Sequence, residues 1–299
     1  MQTEAVSGAQ EREARVVDVF TDGPGGGNPA PIVVDARGMD AEAMQAVAQA
    51  HGLESGFVVA APDGSGCDLG LRFWVPRHEM TMCGHATVGA VWLLRELGRI
   101  EGDRHRVWTR SGVVDCRTHG SGDDTFTEIS QPAGRVDVLA SDASDEVYDV
   151  LGLDPSHRPA AVPVLNAATA RVKTLVAVPD IETLDRLQPD LARIEDLCSR
   201  IGSTGLYPWA PGDETPGTFD ARQFPAASGY PEDAATGIAA AALAYGLHRL
   251  DPALVADQQV RVRQGRAMGR PSLITVRFDG GPDDGCWVGG AVRLHDPAP

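Results

Sequence analysis

Two stretches of this chain are apolar on nearly every side at helical spacing: residues 86–97 (ATVGAVWLLREL) and 235–247 (ATGIAAAALAYGL). A helix without a polar face cannot lie on a surface and has to be enclosed all round. Neither stretch reaches the roughly 20 apolar residues that a bilayer span needs. Strands wrapped around each helix satisfy the demand, and two such helices imply two such units. The surrounding segments are also alike. HATVGAVWLL starts at His85 and DAATGIAAAAL at Asp233, both set Ala-Thr ahead of a Gly, and they lie about half of the 299 residues apart. We read a degenerate internal duplication with a linker near 131–141. Chance likeness of two Ala-rich helices is the competing reading.

The strands to enclose them are present. Short β-branched runs occur at 15–20, 31–35, 56–61, 69–75, 174–178, 259–264, 272–278 and 286–294, separated by turn clusters rich in Gly, Pro and Asp such as DGPGGGNP at 22–29. Two further helices are of the surface type. Asp40 is placed to cap one in which Met44, Val47 and Ala48 share a face and Gly52 supplies the stop. The other runs near 181–201, where Pro189 is expected to kink or split it. The fold class is therefore mixed α/β, strand-rich, with a buried helix in each half.

Charge and cysteine usage narrow the partners. Lys+Arg of 26 against Asp+Glu of 42 gives a formal net charge of −16. Such a surface repels phosphate backbones and anionic lipid, so neither nucleic acid nor a membrane is expected. Lys173 is the only lysine, which leaves little scope for Schiff-base chemistry. The five cysteines are scattered without a CxxC, so a reducing cytoplasm fits better than a disulfide framework. The N-terminal residues carry acids and no apolar run, so no signal peptide is expected.

Three places could carry chemistry. HEMTMCGHATVG (78–89) puts Cys83, Gly84, His85, Ala86 and Thr87 where the chain enters the first buried helix. Backbone N–H groups and the positive end of the helix dipole there favour an anionic group, and His85 can donate a hydrogen bond or move a proton. A histidine that merely packs at the helix start is the plainer alternative. GYPEDAATG (229–237) occupies the same place before the second helix, with Asp233, Thr236 and Gly237; acids at such positions are common simply as caps. Glu54 falls between a helix end and a strand of apolar residues, a setting suited to general acid–base work, although an exposed loop glutamate is the ordinary case. GPGGGN (23–28) lacks a following GxGxxG or GxxxxGK[ST], His78 and His85 lack the spacing of a helical zinc pair, and no G-x-S-x-G elbow occurs. Nucleotide, metal and serine-hydrolase chemistry are accordingly not expected.

Taken in order, VFTDGPGGGNPAPIVVD, LESGFVV, LRFWVPRHEMTMCGHATVGA, GYPEDAATGIAAAAL, QGRAMGRPS and WVGGAVRL resemble the phenazine-biosynthesis PhzF-like isomerase family from about Val16 to Leu294. The resemblance implies the diaminopimelate epimerase-like fold: two similar domains, each a curved, mostly antiparallel sheet around a central helix, with the active site between them. Residues 1–14, without apolar anchors, read as a flexible tail; the N-terminal domain then covers 15–130 and the C-terminal domain 131–284, with a last strand at about 285–295 a candidate to return to the first. The resemblance further implies a homodimer, no cofactor, and a small carboxylated substrate. Glu54 matches the family's general acid/base, and His85 and Asp233 match residues that bind substrate and manage its protons. Gly84 and Gly237 match glycines near its anionic group, with Cys83, Ala86, Thr87 and Thr236 beside them as further binding residues. Ala234 stands where the family usually has Pro, and Gly25 where an aromatic often precedes GNP.

The implied activity is a proton and double-bond shift in an amino acid-like or cyclohexadiene-type metabolite, with secondary-metabolite biosynthesis as the setting. A two-thiol epimerase or racemase on the same fold is the alternative enzyme. Cys83 occupies one thiol position, but no cysteine lies near Asp233, so Cys83 reads as a small buried packing residue. A catalytically silent, metabolite-binding homologue is the third reading.

Overall fold

Each of the β-branched runs forms a strand, and both all-apolar stretches form enclosed helices. The computed structural model describes residues 13–122, 125–159, 161–212, 215–227, 230–255 and 259–296. The tail expected over 1–14 lies outside them apart from its last two residues. The chain divides into two units, Met1–Ser130 with Gly289–Pro299, and Gln131–Val288.

The first unit holds strands β1 (Arg15–Val19), β2 (Asn28–Val33), β3 (Ser55–Val59), β4 (Leu69–Trp74), β5 (Glu79–Met80), β6 (Arg104–Thr109), β7 (Gly112–His119) and β8 (Phe126–Gln131). Its helices are α1 (Ala41–His51) and α2 (Gly84–Glu96). Pairing is antiparallel for β1–β2, β3–β4, β6–β7 and β7–β8, and parallel for β2–β3 and β4–β6. The chain's last strand, which begins at Cys286 and ends at Leu294, returns to pair antiparallel with β1, Val19 opposite Val292. It also pairs with β8, so the sheet closes on itself. Helix α2 fills the interior: its residues from His85 to Leu94 are all buried. Gly89 lets it approach the wall, since a Cβ there would stand 2.7 Å from Val17 Cγ2 and 3.0 Å from Val19 Cγ2. Helix α1 covers the outside, Met44 and Ala48 packing with Val33, Phe57 and Trp74. Asp40 caps it through a 2.8 Å bond accepted from Ala43 N, and Gly52 ends it at φ 66°.

The second unit repeats this plan. It contains β9 (Arg135–Val138), α3 (Ser141–Val150), β10 (Leu165–Ala168), β11 (Val172–Ala177), α4 (Ile181–Arg186), α5 (Leu191–Ile201), β12 (Gly205–Pro211), β13 (Thr218–Ala221), β14 (Phe224–Pro225), α6 (Gly237–Leu250), β15 (Gln259–Gln264) and β16 (Ser272–Arg277). The last strand of the chain is β17 (Cys286–Leu294). Pairing runs antiparallel β10–β11, parallel β11–β12, antiparallel β12–β13, parallel β13–β15 and antiparallel β15–β16. That is the order of β1–β2, β2–β3, β3–β4, β4–β6 and β6–β7. In both units the buried helix is the crossover of a parallel pair, α2 between β4 and β6 and α6 between β13 and β15. In both, the outer helix or helices bridge the other parallel pair. Helix α6 is buried from Ala239 to Leu247, and Gly246 brings it against Leu175 of β11. The expected helix near 181–201 is split at Leu187–Asp190 into α4 and α5, as Pro189 dictates.

Candidate active site

Two chain entrances converge in the first unit. The left-handed Gly52 turns the chain out of α1, and Leu53 and Glu54 lead into β3. The β4–β5 hairpin delivers Cys83 to the start of α2. Cys83 is the N-cap residue, extended at φ −138° and ψ 112°, and its side chain makes no capping hydrogen bond. The leading amides of α2, with the positive end of the helix dipole, therefore face a region where an anionic group is stabilised.

The Cys83 thiol is turned to Glu54 instead, donating to Oε2 at 3.1 Å. His85 Nδ1 lies 3.4 Å from Cys83 Sγ and 3.7 Å from Glu54 Oε2. Glu54 keeps 18% of its side chain exposed and His85 10%, while Cys83 is buried. The other ring nitrogen of His85, Nε2, is buried with no hydrogen-bond partner. A buried donor or acceptor left so is costly unless a ligand engages it.

Gly84 sits within this cluster. Ala86 and Thr87 occupy the first turn and are fully buried. The Thr87 hydroxyl donates to the Cys83 carbonyl at 2.8 Å and its amide to the same oxygen at 3.1 Å, which fixes the backbone of the helix start. Cys83 thus packs as a buried residue, as its surroundings in the sequence suggest, but the sequence reading missed its polar contact with Glu54.

In the second unit Asp233 is held by its backbone: its amide donates to Gln223 O at 3.0 Å. Its carboxylate accepts the Thr236 hydroxyl at Oδ2. The N-cap of α6 is Thr236, again without a side-chain cap, so neither Asp233 nor Glu232 serves as the helix cap. Glu232 is engaged with Arg222, at 2.9 Å and 2.8 Å through two nitrogens. Gly237 opens the helix.

Sequence reasoning missed what lies under this loop. Gln264 Nε2 donates to Asp233 O at 2.7 Å and to Thr236 Oγ1 at 3.2 Å, while its Oε1 accepts from Tyr207 OH at 2.9 Å and Thr236 N at 3.3 Å. Burial, with the Asp233 carboxylate as the lesser cause, pushes the Tyr207 phenol well above the ordinary tyrosine range, so it stays a donor. Gly265 stands at φ 82°, and a Cβ there would lie 2.7 Å from Ala234 O and nearer still to Arg270 O. The QG of QGRAMGRPS was the available signal: a buried amide followed by a residue that must be glycine.

Glu54, Cys83 and His85 also form a donor set, since one ligand atom from each lies within 4.8 Å of the others. The spacing of His78 and His85 bears only on histidine pairs along a helix and does not register donors gathered from two entrances.

A sequence profile described as Phenazine biosynthesis-like protein matches residues 17–289. A Deinococcus radiodurans protein named an uncharacterized isomerase is 31% identical over 286 residues, 93% of this chain and 91% of its own. The trans-2,3-dihydro-3-hydroxyanthranilate isomerase of Pseudomonas chlororaphis is 28% identical over 274 residues, 90% of this chain and 91% of that one. A PhzF-family phenazine biosynthesis protein of Bacillus anthracis has a similar solved structure, with a TM-score of 0.85 at 24% identity over 95% of this chain and 97% of that chain. That likeness bears out the fold class.

Proposed function

Because this chain belongs to the phenazine biosynthesis-like family, whose matched members include named isomerases, we propose that it is a cofactor-independent isomerase. It shifts a proton, and with it a double bond, within a small carboxylated metabolite. The observation that carries this reading is the cluster at the α2 start, where Glu54 Oε2, Cys83 Sγ and His85 Nδ1 lie 3.1–3.7 Å apart beside uncapped backbone amides. Glu54 takes a proton from one carbon and returns it to another of the same conjugated system, so no oxidant or second reactant is needed. His85, through its unpartnered Nε2, and the leading amides stabilise the charge that develops in between. Asp233 is the proposed contribution of the second unit, positioned by Gln264 and Thr236. Thr87 acts indirectly, by fixing the helix start.

The substrate class follows the named Pseudomonas chlororaphis relative: an amino- and hydroxy-substituted cyclohexadiene carboxylate, as in secondary-metabolite biosynthesis. The homodimer implied by the sequence resemblance belongs to this reading and is checked by light scattering of the purified chain. A two-thiol epimerase is disfavoured on one observation. The N-cap of α2 is Cys83, whereas the topologically equivalent N-cap of α6 is Thr236. One thiol cannot serve both faces of a carbon.

The test is steady-state turnover of trans-2,3-dihydro-3-hydroxyanthranilate. Glu54→Gln keeps the shape and hydrogen bonds but cannot carry the proton, so the expected loss in kcat is at least about 100-fold with an unchanged melting temperature. His85→Ala and Asp233→Ala are each expected to lower turnover. Retention of most of the activity in Glu54→Gln removes Glu54 from the mechanism.

A further inference from the structure

The triangle formed by Glu54 Oε2, Cys83 Sγ and His85 Nδ1 has edges of 3.1, 3.4 and 3.7 Å. Zinc bonds of the usual lengths to sulfur, nitrogen and oxygen, set at tetrahedral angles, place their ligand atoms about 3.3–3.6 Å apart. The Sγ–Nδ1 edge already has nearly that spacing, while the Sγ–Oε2 edge has to open and the Nδ1–Oε2 edge to close, each by a few tenths of an ångström (roughly 0.3–0.5 Å), a change within reach of rotation of the Glu54 and Cys83 side chains. We infer that this cluster is a binding site for a zinc-class divalent cation, which the protein captures reversibly.

The chemistry of the donors agrees. A carboxylate, a thiolate and an imidazole are the ligand types zinc selects, and the two anions balance the charge of the ion. Capture replaces the S–H···O contact: the thiol proton leaves to solvent, and sulfur, oxygen and Nδ1 bond the ion. For Nδ1 to present its lone pair, the ring proton must sit on Nε2, the nitrogen that is buried without a partner. Metal-bound histidines normally hand that second N–H to a carboxylate or carbonyl. Without that acceptor the site lacks a contribution worth roughly 10–100-fold in affinity, which places it on the weaker, reversible side of zinc sites. A bound ion occupies Glu54 and His85 together, so it switches off the proposed isomerase. Binding itself does not rest on that reading.

The probe is Zn2+ alone, titrated calorimetrically into the full-length chain after removal of metal by a chelator, with Co2+ as the spectroscopic counterpart. One equivalent is expected to bind, with a thiolate-to-Co2+ charge-transfer band. Cys83→Ser is expected to abolish the band, and Cys83→Ser and Glu54→Gln each to weaken Zn2+ binding by more than about tenfold, the lower end of what even an outer partner of a metal ligand contributes. Thermal melts of both variants report whether they fold. Should Cys83→Ser not fold, slowing of Cys83 alkylation by Zn2+ in the unaltered protein, read by mass spectrometry, carries the same decision. No stoichiometric binding, or binding unchanged in folded variants and without protection of Cys83, overturns the inference; an acidic surface holding the ion loosely is then the explanation. Because calorimetry needs no turnover, an inactive but zinc-binding protein sinks only the isomerase reading.

Discussion

At the scale of single residues, the groups that support Asp233 are as informative as Asp233 itself. Tyr207 is fully buried, and its phenol is held well above the ordinary value of 10.0. The sign of the linkage follows. A folded-state pKa raised above the unfolded one gives stability that is fully present below the ordinary tyrosine range and is lost as pH rises through it towards the folded value. Tyr207→Phe is therefore expected to lower stability at neutral pH by about 1 kcal/mol, for the lost buried hydrogen bond, but to flatten the loss of stability above about pH 10. Urea melts across that range decide it; parallel alkaline limbs for the two proteins contradict it. The sequence offers no route to this pair, because Tyr207 and Gln264 meet only through the stacking of β12, β13 and β15. Cys83 shows the same limit. Its burial is legible in CGHATVGA, but its bond to Glu54 spans 29 residues and needs the β3–β4 pairing to bring the two entrances together.

At the scale of elements, the glycines inside the two central helices set how closely helix and strand approach. Gly89→Ala would drive a methyl into Val17 and Val19, both fully buried with no room to yield. The expected cost is about 1–3 kcal/mol, outweighing the roughly 1 kcal/mol by which Ala favours a helix over Gly. A melting temperature equal to or above that of the parent protein would show that β1 gives way. All of the β-branched runs and all of the helices read from the sequence are present. Three unread elements were hidden for different reasons. Helix α3 is SDASDEVYDV, so acidic that only Val147, Tyr148 and Val150 mark its buried side. Strand β12 carries Pro208 and Pro211, which argue against a strand. It survives because the Pro208 carbonyl still accepts from Arg222 N at 3.0 Å. Strand β6 (RHRVWT) alternates outward and buried positions, but His105 and Thr109 fill two of its three buried places, so the period is weak in the sequence alone.

At the scale of the whole molecule, the repeated order of pairings turns the likeness of two helix starts into a likeness of two units. The all-apolar helices demand enclosure on every side, and the strands of each unit supply it. The two units nevertheless differ chemically. Equivalent positions at the helix starts carry Cys83 and His85 in one unit and Thr236 and Ile238 in the other, which is why the proposed mechanism gives the proton transfer to a single acid/base, Glu54. The direct measurement is therefore solvent deuterium uptake. The chain is incubated in D2O with trans-2,3-dihydro-3-hydroxyanthranilate and a panel of small conjugated amino acids, and products are read by proton NMR and mass spectrometry. The account predicts that one carboxylated diene shifts its double bond and gains deuterium at carbon, because the proton held on the part-exposed Glu54 carboxyl exchanges with solvent before its return, and that the Glu54→Gln protein neither shifts nor labels it. Equal labelling by the two proteins, or inversion at a Cα with no shift of the double bond, would contradict it.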